Sequence, residues 1–273
     1  MVSRLATHIR SISANGDKAL GVFVTSGFPT PSDTLSILKA IDQGGADFIE
    51  LGMPFSDPLA EGLPIQHSSH VALAAGITMR QTLSLAAAFR KQSETPLVLM
   101  GYANPIVKYG ISNFFRDARS SGVDGVILPD VLPELDSPFL MSARAEGVDL
   151  ISLIAPTTPD IRIAQIDELS SGFVYAVSVT GVTGSDLGSK TQIQAYLERA
   201  SVVISHNPLM VGFGIRTHAD MVEMTLHTDG AIVGSALVRV IDTLWADQLL
   251  SSEDRLEGVK SFVHELKTGS MHV

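Results

Sequence analysis

The chain has 273 residues, a net charge of −10 and no cysteine, with 45% apolar and 18% charged side chains. The apolar share suffices for a sizeable core, and the negative balance disfavours nucleic acid and anionic membrane as partners. Disulfides, thiolate metal sites and cysteine nucleophiles are excluded outright.

The first twenty residues, MVSRLATHIRSISANGDKAL, contain no apolar core segment and no small-residue cleavage site, so they do not read as a secretory signal. No apolar run reaches the roughly eighteen residues needed to span a bilayer. The expectation is a soluble, cytoplasmic protein. Residues 2–13 form an extra helix, and the first strand is LGVFVT (20–25). A helix over 32–44 follows, introduced by Pro31 and Ser32 and stopped by Gly44. The second strand, DFIEL (47–51), ends in an acid, and the Gly- and Pro-rich loop after it brings two more, Asp57 and Glu61. Further helices are predicted over 79–91, 111–121, 137–145, 159–169, 191–200, 217–226 and 253–267. The strands between them are 96–100, 123–129, 148–154, 173–178, 209–214 and 230–235. Thr158, Pro159, Asp160 and Ser189 read as helix starts, Gly122 and Gly147 as stops.

Each strand is a short continuous run rich in Val, Ile or Leu, as expected where both faces are covered. Eight such βα units without a break in composition fit a single (β/α)8 TIM barrel over residues 1–273, with the extra N-terminal helix ahead of it. The alternative is an open doubly wound sheet. It would place a GxGxxG turn after the first strand, where Thr25-Ser26-Gly27-Phe28-Pro29 stands instead.

In a barrel of this kind the chemistry sits on the loops that follow the strands. Three glycine turns follow late strands there: Gly181-Val-Thr-Gly184, Gly212-Phe-Gly214 and Gly234-Ser235. Glycine lets backbone N–H groups approach an anion, and a helix beginning at Ser235 would aim its positive end at the same place, so the three turns suggest a phosphate. None contains Lys or Arg, leaving N–H groups and the Ser235 hydroxyl as donors; plain tight turns are the other reading. Glu50 stands at an apolar strand end with no cation nearby in sequence. Burial there would raise its pKa toward neutrality, which suits a general acid–base. Glu61, taken alone, is evenly balanced between a pocket acid and a solvated one, and Asp57 reads equally as a turn cap. Tyr102 and Tyr175 close the third and sixth strands, either as hydrogen-bond donors or as packing. His67 and His70, three apart, read as helix-surface residues rather than metal ligands. No lysine falls at a strand end, against a Schiff-base aldolase.

FIELGMPFSDPLAEG (48–62) resembles the signature of the tryptophan synthase alpha chain family, and so do GFPT (27–30), LMGYANPI (99–106), GVDGVILPD (122–130), SVTGVTG (178–184), GFGI (212–215) and IVGSALV (232–238). The resemblance runs from about residue 15 to 267. It implies a TIM barrel that cleaves indole-3-glycerol phosphate to indole and glyceraldehyde 3-phosphate. It also implies no cofactor in this chain and a pyridoxal-phosphate-bearing beta chain as partner in an alpha2beta2 heterotetramer. On that resemblance Glu50 is the acid–base, Glu61 faces the indole nitrogen and Tyr175 lies near the acid. Gly184, Gly214, Gly234 and Ser235 hold the phosphate, and Phe23, Tyr102, Ile127, Leu153 and Phe213 wall the indole pocket. Residues 179–190 would close as a lid. Two positions depart from the family pattern: Glu61 replaces the usual aspartate, with Leu63 before Pro64 after it, and Val179-Thr180 stands where an arginine is usual. A lyase acting without a beta chain, or a weakly active chain that mainly activates one, are the alternative readings.

Overall fold

Short β-branched runs between amphipathic helices can bury both faces only if their crossover helices pack around a parallel sheet, and that is the arrangement found. The computed structural model describes residues 3–58, 61–132, 134, 137–177, 190–212 and 214–270. In chain order the elements are α1 (Arg4–Ala14), β1 (Ala19–Thr25), α2 (Thr34–Gln43), β2 (Phe48–Gly52), α3 (Leu63–Ala74), α4 (Met79–Arg90) and β3 (Leu97–Met100). They continue with α5 (Ala103–Tyr109), α6 (Ile111–Ser120), β4 (Gly125–Ile127), α7 (Pro138–Glu146), β5 (Asp149–Ile154), α8 (Asp160–Leu169) and β6 (Val174–Val177). The last are α9 (Lys190–Val203), β7 (Leu209–Gly212), α10 (His218–Met224), β8 (Gly230–Val233), α11 (Ser235–Ala246) and α12 (Ser252–Thr268). The strands pair in parallel in sequence order, and β8 pairs back onto β1, closing the barrel. Among the described residues no single helix is long and apolar enough to cross a membrane.

All eight predicted strands are present. Several are shorter than their apolar runs, for local reasons. Pro96 has no N–H for the ladder, so β3 starts at Leu97. β4 keeps only Gly125–Ile127, because Asp124 turns its carboxylate to the Leu97 N–H at 2.9 Å and Pro129 cannot donate. Gly147 ends α7 with φ +67, as the stop signal required. At the end of α2 the left-handed residue is Gly45, at φ +92; Gly44 keeps φ −71, and a Cβ there would sit 2.7 Å from the Lys260 carbonyl. The cap of α2 is Asp33 rather than Ser32. Two helices, α3 and α5, fill loops whose sequence shows no helical period, although His67 and His70 are themselves expected on a helix surface. Both start with weak signals: α3 has Gly62 as its cap, and α5 carries Pro105 within its first turn.

The acids divide by barrel end. At the N-terminal end Asp47 accepts from the Leu20 N–H at 2.6 Å and pairs with Lys267 at 2.5 Å. Asp124 takes the Leu97 N–H and both Arg4 and Arg90. Asp229 accepts from the Leu209 N–H at 2.8 Å and from Ser13. Asp124 and Asp229 thus satisfy the first N–H of a neighbouring strand and Asp47 the second, a stabilising use of charge. At the opposite end the acids stand differently.

Candidate active site

Phe48 on β2 and Phe173, just before β6, bring their rings to 5.4 Å. These strands are not neighbours in the barrel, so the contact runs through its interior. Side chains alternate along a strand. Glu50 and Tyr175, two residues further along, therefore also point inward, one layer nearer the mouth. The registers carry the same face around the barrel: Phe23 lies beside Glu50, Met100 beside Ile127, and Leu153 beside Tyr175. Gly212 completes the layer, because a Cβ there would lie 2.2 Å from the Tyr175 hydroxyl oxygen; only glycine leaves room for that ring.

Glu50 is 1% exposed, and its Oε1 has no hydrogen-bond partner among the described residues. Burial pushes its pKa up to about 8. The Tyr175 hydroxyl is raised well above its ordinary value, first by burial and then by the nearby Glu50 charge, which sets the two side by side. Glu61 is 6% exposed, its Oε2 has no partner among the described residues, and burial lifts its pKa to about 7. Burying a carboxyl oxygen without a donor is unfavourable, whereas Asp47, Asp124 and Asp229 at the other barrel end are all satisfied. Two poised carboxyl groups of this kind are what proton transfer near neutral pH requires. Asp57, by contrast, is exposed and accepts a hydrogen bond from Ser56 at 2.5 Å, a turn residue.

Of the expected pocket wall, Phe23, Tyr102 and Ile127 are buried and Leu153 half-buried. Tyr102 caps α5 and stacks on Phe55 at 5.0 Å, an aromatic contact that sequence reading did not find. Gly234 is the cap of α11 and offers no side chain to its first N–H groups. Ser235 opens that helix, half-buried, and Gly214 takes φ +81 on the adjoining turn. A Cβ on Gly234 would come within 3.5 Å of Phe23 Cβ, so the turn and the pocket adjoin. Gly184, Phe213 and the expected lid, apart from Lys190, lie outside the described residues. His67 and His70 are exposed on α3. His67 faces Phe28 at 6.2 Å and Asp242 at 3.9 Å, and no group of three potential metal ligands occurs among the described residues.

A family profile described as tryptophan synthase alpha chain matches residues 9–271. The tryptophan synthase alpha chain of Geotalea uraniireducens is 42% identical over 268 residues, covering 98% of each chain. The alpha chain of Pelobacter propionicus is 41% identical over 266 residues, covering 97% of each. A solved structure of Mycobacterium tuberculosis tryptophan synthase superposes with a TM-score of 0.87 at 32% identity over the whole of both chains. The alpha chain of Legionella pneumophila gives 0.81 at 33% identity, over 98% of this chain and all of that one.

Proposed function

The chain belongs to the tryptophan synthase alpha chain family, the carbon–carbon lyases that cleave indole-3-glycerol phosphate to indole and glyceraldehyde 3-phosphate in tryptophan biosynthesis, and we propose how its own residues perform that reaction. The observation that carries the proposal is the pair of buried carboxyl groups at the barrel mouth, neither of them paired with a cation among the described residues.

Retro-aldol cleavage needs a proton on indole C3, removal of the proton from the adjacent glycerol hydroxyl, and stabilisation of the positive charge that appears at the indole nitrogen. Glu50, protonated near neutrality, gives its proton to C3 and then takes the hydroxyl proton. The C–C bond breaks, and its electron pair returns to the ring. Glu61, ionised, faces the indole N–H and stabilises the developing charge. Tyr175 touches the acid and orients it. Phe23, Tyr102, Ile127, Leu153 and Phe213 enclose the ring. The N–H groups at Gly184, Gly214 and Gly234, with the Ser235 hydroxyl, receive the phosphate at the start of α11. Residues 1–273 act as one unit in the cytoplasm. The chain brings no cofactor of its own and docks on a pyridoxal-phosphate beta chain in an alpha2beta2 assembly. A merely activating chain has no use for a buried Glu61 whose Oε2 no described residue bonds, which favours the lyase reading.

The active protonation state, Glu50 neutral with Glu61 ionised, is most populated between the two pKa values, about 7 and about 8. The expected kcat/KM profile for indole release is therefore a narrow bell, rising through pH 7 with Glu61 and falling through pH 8 with Glu50. Glu61→Gln should erase the acidic limb of its residual activity; a limb that persists assigns it to another group.

Ser235→Asp sets a negative charge where the phosphate is received, and KM for indole-3-glycerol phosphate is expected to rise by at least about tenfold. Glycerol phosphate should raise the Tm of the wild type and not of the variant, since a ligand that prefers the native state stabilises it. Equal protection of both proteins would place the phosphate elsewhere.

A further inference from the structure

We infer that α3 is the strut that fixes Glu61 in the pocket, with Gln66 as its positioning residue and the Thr25–Ser68 hydroxyl pair as its anchor on the barrel; this rests on the reading of Glu61 as the acid facing the indole nitrogen. Glu61 lies just ahead of the helix cap Gly62, whose carbonyl accepts the N–H groups of Ile65 at 2.9 Å and Gln66 at 3.0 Å. Gly62 supplies no capping side chain, Pro64 lacks an N–H, and Leu63 is 71% exposed, so none of these fixes the first turn from inside. The Gln66 side chain instead reaches back past the cap and donates from Nε2 to the Glu61 carbonyl at 2.8 Å. That bond holds the main chain from which the Glu61 carboxylate springs.

The helix itself is tied down one turn later. Ser68 and Thr25, the last residue of β1, are both fully buried, with their oxygens 2.5 Å apart. Ser68 commits its hydroxyl proton to the Ile65 carbonyl at 2.8 Å, so Thr25 is the donor to Ser68. The relay therefore runs from β1 through Ser68 to Ile65. The Ile65 side chain in turn abuts the phosphate turn, where a Cβ on Gly234 would lie 3.2 Å from Ile65 Cδ1. One helix thus touches β1, the phosphate turn and the Glu61 main chain. Its placement sets the distance between the phosphate end of the substrate and the acid at the indole end. Misplacing a reacting group by about 1 Å can cost up to 100-fold in rate.

The test is a double-mutant cycle between Gln66→Met and Glu61→Ala, read as indole release by the full-length chain. Methionine is close to glutamine in volume and has no N–H donor. Gln66 is only half-buried, so the variant is expected to fold with a Tm near wild type. Gln66→Met alone should lower kcat about tenfold, the worth of a well-placed hydrogen bond and the geometry it keeps, with KM within about twofold because the phosphate turn is untouched. In the Glu61→Ala background the same substitution should change the rate by less than about twofold, because the group it positions is gone. An equal loss in both backgrounds, or no loss in the wild-type background, overturns the positioning role. If Glu61→Ala alone is as fast as wild type, the reading of Glu61 fails first, and that single variant identifies the failure.

Discussion

Glu50→Gln is expected to lower kcat for indole release by on the order of 100-fold or more, while the protein becomes more resistant to heat above pH 8. The two effects share one cause. The carboxyl group is buried beside Tyr175 with an oxygen that no described residue bonds, and burial raises its pKa from 4.5 to about 8. Between those values the folded chain holds a proton that the unfolded chain has released. Stability contributed by this group is therefore fully present below about pH 4.5, and it is lost as pH rises to about 8, beyond which the folded chain carries a buried charge. Glutamine keeps the shape and cannot ionise. The Tm of the variant should accordingly separate from wild type across that window and stay above it at higher pH. A variant that is inactive and also less stable at pH 9 would show that Glu50 holds the barrel together instead of working on substrate.

Glu61→Ala is the second large effect, again a loss of about 100-fold or more, because the charge opposite the indole nitrogen disappears while the phosphate site stays intact. Glu61→Asp should fall between, at about a tenfold loss. The family usually has the shorter acid here, but in this chain Gln66 grips the Glu61 carbonyl and the loop continues as Gly62-Leu63-Pro64, so the backbone does not advance to meet a shorter side chain. Rates compared under subsaturating and saturating substrate separate this from a binding defect. A drop confined to kcat/KM with kcat unchanged would mean that Glu61 binds the indole and stabilises no charge.

The barrel was legible because its signal is local and repeated. Each apolar run with Val or Ile, such as 47–51 or 148–154, is a strand whatever lies far away, and the helices between them mark parallel pairing. The helices α3 and α5 were missed because their starts carry turn chemistry. Pro64 sits in the first turn of one and Asn104-Pro105 in that of the other, positions where proline costs a helix nothing but reads as a breaker. Glu50 was legible as an acid out of place in an apolar strand. Glu61 was not, taken alone, because its loop gives no sign of burial; the resemblance suggested its role and the fold showed it enclosed. Nothing in the sequence joins Thr25 to Ser68, 43 residues apart, or Phe55 to Tyr102; the parallel pairing of β1 with β2 and of β2 with β3 brings them together. The aspartates that cap strand ends, Asp47, Asp124 and Asp229, each precede a strand directly. That regularity could have been found by comparing the units with one another.

The most direct test of the central claim is a single turnover, with enzyme in excess over indole-3-glycerol phosphate at pH 7.5, following indole release by wild type and Glu50→Gln in the same buffer. Excess enzyme removes repeated turnover from the rate, and quenching each time point frees bound indole before it is counted, which leaves the bond-breaking step. Wild type should release the full equivalent of indole, and Glu50→Gln should bind the substrate yet release indole at least about 100-fold more slowly. Release by the variant within a fewfold of the wild-type rate would contradict the assignment of the acid–base to Glu50.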